Sequence, residues 1–160
     1  MKKHNFIMKT KPWGHQLRAL EYLYPKNAGA LYTKPGSGKT KIMIDLIVNR
    51  GFKRVLVVAP KKPCDVWKPQ IQLHSDIDPQ QVVELHKLDT KEKSALLKTY
   101  CKSKSDDPVI FICNYDSIWR NPLDRVWFYR GLGLDCIICD ESHRIKSPSS
   151  KCSRFLTRLG

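Results

Sequence analysis

Acidic residues are scarce in this chain of 160 residues. It has 15 Asp and Glu against 29 Lys and Arg, which gives a formal net charge of +14. The shortage is greatest at the two ends, because residues 1–62 hold only Glu21 and Asp45 and residues 144–160 hold no acidic side chain. A surplus of this size predicts a polyanionic partner, or else no more than a generally basic surface. It carries no information about the fold.

Long apolar runs are missing as well. No stretch approaches the roughly 20 apolar residues that are needed to cross a bilayer. The start Met1-Lys2-Lys3 resembles that of a signal peptide, but His4, Asn5 and Lys9 interrupt any apolar core. We therefore expect a cytoplasmic protein with no membrane partner.

Paired cysteines with metal-ligand spacing are nearly absent. The six cysteines are Cys64, Cys101, Cys113, Cys136, Cys139 and Cys152. Without a secretory signal, reduced thiols are expected rather than disulfides. Cys136 and Cys139 have the spacing of a zinc pair but lie in an apolar run, and on a strand these two positions point to opposite faces. We interpret them as buried apolar side chains and expect no metal there.

Short apolar runs alternate with amphipathic stretches, which is typical of an α/β protein with a parallel sheet. The predicted strands are Ala28–Thr33, Arg54–Ala59, Gln81–Leu85, Val109–Cys113 and Asp135–Cys139. The predicted helices are Gly38–Asn49, Pro63–Leu73, Lys91–Lys102 and Pro148–Leu159. Most of the strands are apolar without alternation, as expected of strands covered on both faces. We predict one three-layer α/β domain over residues 1–160, with a mostly parallel central sheet.

A glycine loop, Thr33–Thr40, lies between the first predicted strand and the first long helix. Its sequence, Thr-Lys-Pro-Gly-Ser-Gly-Lys-Thr, follows the phosphate-loop pattern except that Thr33 replaces the leading glycine. Glycines let backbone N–H groups wrap phosphate oxygens, and a helix N-terminus favours negative charge. In such a loop Lys39 would neutralise the β- and γ-phosphates, and the Thr40 hydroxyl would reach Mg²⁺.

An acidic segment, Asp140–His143, follows the last predicted strand directly. Carboxyl ends of buried parallel strands are where α/β proteins place ligand-facing residues. Asp140 could hold the Mg²⁺ shell, and Glu141 could orient and deprotonate an attacking water. By contrast, we interpret the scattered His15, His74 and His86 as surface or packing residues.

Taken in order, these segments resemble the first RecA-like lobe of a superfamily 2 helicase. The resemblance is to the Swi/Snf-like ATPases and their phage and bacterial relatives, of the DEAD/DEAH-box type. Lys11–Gln16 resembles the Q-motif region, Thr33–Thr40 motif I, Val57–Lys61 motif Ia, Cys113–Asp116 motif Ib and Asp140–His143 motif II. Motif I of this family often lacks its first glycine, which accommodates Thr33.

The resemblance implies a P-loop NTPase that uses ATP and Mg²⁺ and couples hydrolysis to movement on nucleic acid, with double-stranded DNA the expected partner. It implies catalytic roles for Lys39, Asp140, Glu141 and His143, and metal contacts from Thr40 and Asp140. The implied ATP-binding residues are Gln16, which reads adenine, with Lys34, Pro35, Gly36, Ser37, Gly38, Lys39 and Thr40. The implied nucleic-acid contacts are Pro60, Lys61, Asn114, Tyr115, Arg144 and Lys146.

The family's second lobe, which supplies arginine fingers, has no counterpart in these 160 residues. We therefore expect a second helicase lobe to act in cis or in trans, and weak or no hydrolysis by this chain alone. The phage and bacterial resemblance favours the cytoplasm of a bacterial or phage-infected cell over a eukaryotic nucleus.

Two other functions stay open at this point. One is a P-loop kinase that phosphorylates a small molecule, which would need its own lid arginines and acceptor site. The other is a non-catalytic nucleic-acid-binding or interaction module that keeps the fold of the lobe. Dependence of nucleotide binding, turnover and DNA binding on Lys39 distinguishes the three.

Overall fold

The computed structural model describes residues 5–103, 105–119 and 129–159. Its helices are α1 (Gly14–Leu23), α2 (Lys39–Arg50), α3 (Lys61–His74), α4 (Thr90–Lys102), the short α5 (Tyr115–Ile118) and α6 (Lys151–Leu159). Its strands are β1 (Arg54–Ala59), β2 (Val82–Glu84), β3 (Val109–Asn114) and β4 (Cys136–Cys139). Among these residues, no helix is both long and apolar enough to cross a membrane.

The strands form one parallel sheet in the order β2-β3-β1-β4. β1 is central, and its Val55 pairs with Ile110 of β3 on one side and with Cys136 of β4 on the other. Because all pairings are parallel, the carboxyl ends of β1, β3 and β4 meet at one edge of the sheet. The residues that follow each strand are thus gathered at that edge.

Helices cover both faces of the sheet. Every residue of β1 and β3 is buried, with alternate side chains entering opposite cores. On one face Val55 and Val57 pack with residues of α2 and α3, including Ile44 and Trp67. On the other face the apolar side chains of β1 and β3 pack with residues of α4, α5 and α6. The predicted three-layer α/β fold with a parallel sheet is confirmed. The prediction that the strands are covered on both faces is confirmed for β1 and β3 but is wrong for the edge strand β4, where only Ile138 is buried.

The predicted first strand, Ala28–Thr33, is wrong, since the structure has no strand there. The segment offers only one large aliphatic side chain, Leu31, and Leu31 packs against α1 and α2 instead of the sheet. Ala28, Gly29 and Ala30 bury too little apolar area to hold a strand in a core, and Tyr32 is 93% exposed. The glycine loop is therefore reached through a segment that lies outside the sheet.

The other predicted elements are present. β1 has the predicted bounds, and the rest differ by up to a few residues at one or both ends. Helix α2 starts at Lys39 because Gly38, at φ 74°, has a left-handed conformation that ends the loop. Helix α4 starts at Thr90 because the Asp89 carboxylate accepts hydrogen bonds from the backbone N–H groups of Lys91 and Glu92.

An N-terminal strap, residues 5–13, ties the ends of α2 and α3 together. The Ile7 backbone N–H donates to Asn49 Oδ1 at 2.7 Å. The Lys9 ammonium donates to the Ser75 carbonyl at 2.9 Å, at the C-terminal end of α3. Thr10 Oγ1 lies 2.6 Å from His74 Nδ1. The strap leads directly into α1 and so fixes where that helix begins.

A neutral His74 is compatible with both of its hydrogen bonds. Its Nε2 lies 3.2 Å from Gln70 Oε1, which can only accept, so Nε2 carries the proton and Nδ1 accepts from Thr10. Burial lowers the pKa of His74, and the nearby Lys41 charge lowers it further. The folded protein therefore binds fewer protons here than the unfolded chain.

We predict that this histidine makes stability fall as the pH drops below its unfolded pKa of about 6.5. Replacing it by His74→Gln should flatten the decline in unfolding free energy between about pH 7 and 5, measured by urea denaturation at several pH values. The exposed, non-titrating substitution Gln72→Ala, near the end of α3, should keep the wild-type slope. Equal slopes for wild type and His74→Gln would contradict the prediction.

Candidate functional site

A cleft of about 1320 Å³ opens beside the carboxyl edge of the sheet. The glycine loop forms one wall of the cleft and the acidic segment forms another. The predicted site residues on these walls are Lys34, Pro35, Gly36, Gly38, Lys39, Thr40, Asp140, Glu141 and His143. Two segments about 100 residues apart in the chain are therefore brought to one cavity.

The glycine loop turns through two left-handed glycines, Gly36 at φ 77° and Gly38 at φ 74°. Thr33 Oγ1 and Ser37 Oγ lie 2.7 Å apart, and the Ser37 N–H donates to the Lys34 carbonyl at 3.3 Å. These bonds close the loop on itself. Thr33, at the position of the missing leading glycine, thus has a structural contact of its own.

Lys39 is the first residue of α2, and its ammonium folds back over the loop. It donates to the carbonyls of Thr33 and Lys34, at 3.2 and 3.3 Å. No carboxylate in the described part of the chain forms an ion pair with it. The positive charge is held only by neutral carbonyls, as required of a group that must be available to an anion.

Gln16 and His15, on α1, contact the backbone of the glycine loop. The Gln16 side-chain amide donates to the Ser37 carbonyl at 3.3 Å, and its Oε1 accepts from the Trp13 N–H at 2.9 Å. His15 Nε2 lies 2.9 Å from the same Ser37 carbonyl. Gln16 is only 5% exposed and does not line the cleft. Its predicted contact with adenine remains a prediction, and the structure adds a second role in holding the loop.

Three hydrogen bonds from three different elements fix Asp140. Its N–H donates to the Val58 carbonyl of β1 at 2.8 Å. Its carbonyl accepts from the Tyr115 hydroxyl at 2.7 Å, and its Oδ2 accepts from the Trp67 indole Nε1 at 3.1 Å. Burial raises the pKa of Tyr115, so this phenol stays protonated and keeps its donor. Both the backbone and the carboxylate of Asp140 therefore have a defined orientation.

Glu141 has an unusual backbone conformation. At φ 51° and ψ 49° it is the one non-glycine residue with positive φ among residues 5–103, 105–119 and 129–159. Such a conformation costs a non-glycine residue roughly 1–3 kcal/mol. The turn swings the chain away from β4 into the short 3₁₀ helix Ser142–Ile145 and leaves the Glu141 side chain exposed on the cleft.

These features fit a nucleotide phosphate and a divalent cation. A methyl group at Gly36 would have no neighbour within 4 Å, so space for phosphate oxygens exists beside the loop. Lys39 supplies an uncompensated positive charge at the start of a helix of 12 residues. The Thr40 hydroxyl and the Asp140 carboxylate are hard oxygen donors of the kind that Mg²⁺ prefers.

The predicted nucleic-acid contacts divide into two groups. Lys61, Arg144 and Lys146 are exposed cations near the same edge of the sheet. Asn114 and Tyr115 are 9% and 6% exposed, and Pro60 is also buried. Contact of all six residues with nucleic acid stays a prediction. The second three are buried at the edge of the sheet and do not present an exposed charge.

A second group of potential metal ligands lies at the end of β2. Asp65, Glu84 and His86 offer ligand atoms within 4.8 Å of one another. However, the Lys87 ammonium lies 2.9 Å from Glu84, and His86 Nε2 lies 3.0 Å from Asp65. Because Glu84 is in an ion pair with Lys87 and Asp65 is within hydrogen-bond distance of His86, we assign no metal to this cluster.

Comparison with known proteins identifies the family. Residues 15–160 match the SNF2-related domain family. The chain belongs to the SNF2-related domain family. The resemblance to the Swi/Snf-like ATPases is thereby confirmed, and the bacterial or phage type stays a prediction.

One curated protein and one solved structure are similar to this SNF2-related domain. The chain is 22% identical to a transcriptional regulator ATRX homolog of Caenorhabditis elegans, over 98% of this chain and 15% of that protein. It superposes on the Sulfolobus solfataricus SWI2/SNF2 ATPase core, solved in complex with dsDNA, with a TM-score of 0.77. That match has 17% identity and covers 99% of this chain and 32% of the other, so it shows the fold. The chain thus spans a minor part of both proteins.

Two contacts of this SNF2-related domain were not predicted from the sequence. Trp67 contacts Asp140 from 73 positions away, and no local pattern marks such a pairing. His15, interpreted as a surface or packing residue, is exposed as expected but also contacts the glycine loop. Its place next to Gln16 was the one available signal.

We predict that Gly38→Ala destabilises the domain more than Gly36→Ala. Both substitutions cost about 1–2 kcal/mol for a left-handed residue. A methyl group at Gly38 would also meet the Gln16 amide and displace its hydrogen bond to Ser37, which adds about 1 kcal/mol. Urea unfolding of both variants measures the difference.

The Gln16→Ala background supplies the control. Without the amide, the extra cost of Gly38→Ala should disappear and the two glycine substitutions should become equally destabilising. If the difference persists in that background, its source lies elsewhere than Gln16.

Proposed function

We propose that this chain is the ATP-binding lobe of a nucleic-acid-dependent ATPase that couples ATP hydrolysis to movement on DNA. The observation that carries the proposal is the shared cleft of an SNF2-related domain. Lys39 and Thr40 of the glycine loop line it together with Asp140 and Glu141 of the acidic segment.

ATP with Mg²⁺ is the proposed cofactor pair. The glycine loop would surround the phosphates with backbone N–H groups, and Lys39 would exchange its carbonyl partners for phosphate oxygens. Thr40 and Asp140 would hold the cation. When bound, Mg²⁺ would neutralise charge on the transferring phosphate.

Glu141 and His143 complete the proposed catalytic set. Glu141 would orient a water against the γ-phosphate and accept its proton. Its exposed carboxylate lies on the cleft next to Asp140, as this role requires. His143 lies on the cleft two residues further along, and we propose that it links the nucleotide to the nucleic-acid side. Gln16 would read adenine at the back of the loop.

The proposed partner is double-stranded DNA, together with a second helicase lobe in cis or in trans. The exposed cations Lys61, Arg144 and Lys146 support a phosphate-backbone contact that is largely independent of sequence. Support also comes from the Sulfolobus core, which was solved with dsDNA. The relatives named above are from a nematode and an archaeon, so a bacterial or phage-infected cytoplasm stays a prediction.

Membership of the SNF2-related family favours this function over a small-molecule kinase. A non-catalytic nucleic-acid-binding module with the same fold is the second candidate, favoured only by the basic surface. Nucleotide binding separates these two candidates.

We predict that Lys39→Ala weakens nucleotide binding by at least about tenfold, because the loop then lacks its neutralising charge. Titration of a fluorescent ATP analogue into the 160-residue chain measures the affinity. Lys91→Ala, an exposed lysine at the start of α4, removes the same charge away from the cleft and should bind as wild type does. Equal affinity for wild type and Lys39→Ala would refute the nucleotide site.

We predict that the double variant Arg144→Ala/Lys146→Ala binds duplex DNA more weakly, with a shallower salt dependence. The slope of log affinity against log salt should drop by about 0.9 for each phosphate that these side chains no longer neutralise. Fluorescence anisotropy of a labelled duplex at several salt concentrations gives the slope. The charge-matched variant Lys53→Ala/Lys91→Ala should keep the wild-type slope, and equal slopes for both double variants would contradict the assignment.

A further inference from the structure

The hydrogen bond between Trp67 and Asp140 joins α3 to the acidic segment. The Trp67 indole Nε1 lies 3.1 Å from Asp140 Oδ2, although the two residues are 73 positions apart. Trp67 is only 2% exposed and belongs to the core between the sheet and helices α2 and α3. It also lines the cleft. A buried core residue therefore reaches the wall on which the cofactor would bind.

The donor and the acceptor in this hydrogen bond cannot exchange roles. An indole N–H can only donate, and an ionised carboxylate oxygen can only accept. A buried indole N–H without a partner would cost about 1–3 kcal/mol, so packing and hydrogen bonding keep the two groups together. The indole ring packs in a core with residues such as Ile44 and Ile71. Its N–H direction is consequently fixed by the fold.

A fixed donor on Oδ2 determines how the carboxylate is presented. Rotation about the Cβ–Cγ bond of Asp140 is restricted, since turning would break the bond to Trp67. No side chain in the described part of the chain forms a hydrogen bond or an ion pair with Oδ1. The carboxylate thus has one oxygen held by the protein and one that can face a ligand.

We propose that Trp67 is a positioning residue that orients the Asp140 carboxylate toward the divalent cation of the bound nucleotide. The proposal rests on the proposed function, because it assumes that this cleft holds a metal–nucleotide complex. Trp67 touches neither substrate nor metal in this role. It acts through Asp140, as the outer partners of metal ligands do in other proteins.

The test separates metal binding from nucleotide binding. Trp67→Phe keeps an aromatic ring in the core and removes the N–H donor. Binding of a fluorescent ATP analogue in EDTA should stay within about twofold of wild type. The affinity of the nucleotide complex for Mn²⁺, read by electron paramagnetic resonance, should fall by about 10- to 100-fold, the range seen when the outer partner of a metal ligand is removed.

Ile71→Val is the matched control. It lies one helical turn after Trp67, is fully buried in the same core and has no side-chain donor for the Asp140 carboxylate. Ile71→Val should loosen the core slightly yet leave Mn²⁺ affinity at the wild-type value. If it weakens Mn²⁺ binding as much as Trp67→Phe does, core packing explains the effect and the proposal is overturned.

The remaining outcomes are also decisive. If wild type binds nucleotide and Trp67→Phe has unchanged Mn²⁺ affinity, the positioning role fails and the proposed function stands. If wild type binds no nucleotide with or without metal, the proposed function fails and this inference with it.

A measurement on the wild-type chain covers the case in which Trp67→Phe does not fold. The indole ¹H–¹⁵N signal of Trp67, assigned by substituting the other three tryptophans, should shift when Mg²⁺ is added to the nucleotide complex. An indole signal that does not respond to Mg²⁺ would overturn the proposal.

Discussion

Parallel pairing of β1 with both β3 and β4 is the constraint on which the rest of the site depends. In this register Ala59, Asn114 and Cys139 end at one edge of the sheet. The residues that follow these strands closely in the chain are therefore gathered at that edge by connectivity alone. They are Lys61, Tyr115 and Asp140. A shift of one residue in β4 would turn its buried side chain Ile138 toward the opposite face and carry Asp140 away from Trp67.

Local pattern predicted most of the fold because its causes are local. β1 and β3 are continuous apolar runs, and such runs are typical of strands that are covered on both faces. Gly38 marks the start of α2 through its left-handed conformation. The strand Ala28–Thr33 was predicted wrongly. It was expected because the segment precedes a glycine loop and a helix, but its small side chains bury too little area to hold a strand in the sheet. Pattern alone did not reveal how little apolar area this segment buries.

The candidate site was predicted in its parts but not in its connections. Lys39 and Asp140 were recognised from their own segments. The strand order places Asp140 at the edge of the sheet, but the glycine loop follows no strand and reaches the cleft through tertiary packing. The links from Trp67 to Asp140, and from Gln16 to Ser37, join elements that only tertiary packing brings together. A single sequence holds no local trace of such pairs. Sequence analysis found the groups with a proposed chemical role, and it missed the groups that fix their positions.

The carboxylate of Glu141 is kept on the cleft at a cost in folding stability. Its left-handed backbone is one that folding alone would assign to glycine or asparagine. Stability and the proposed catalytic role consequently favour different side chains at this position. A search for more stable versions of the domain would select against the residue on which its proposed chemistry depends, so thermal robustness and turnover are opposed at a single residue.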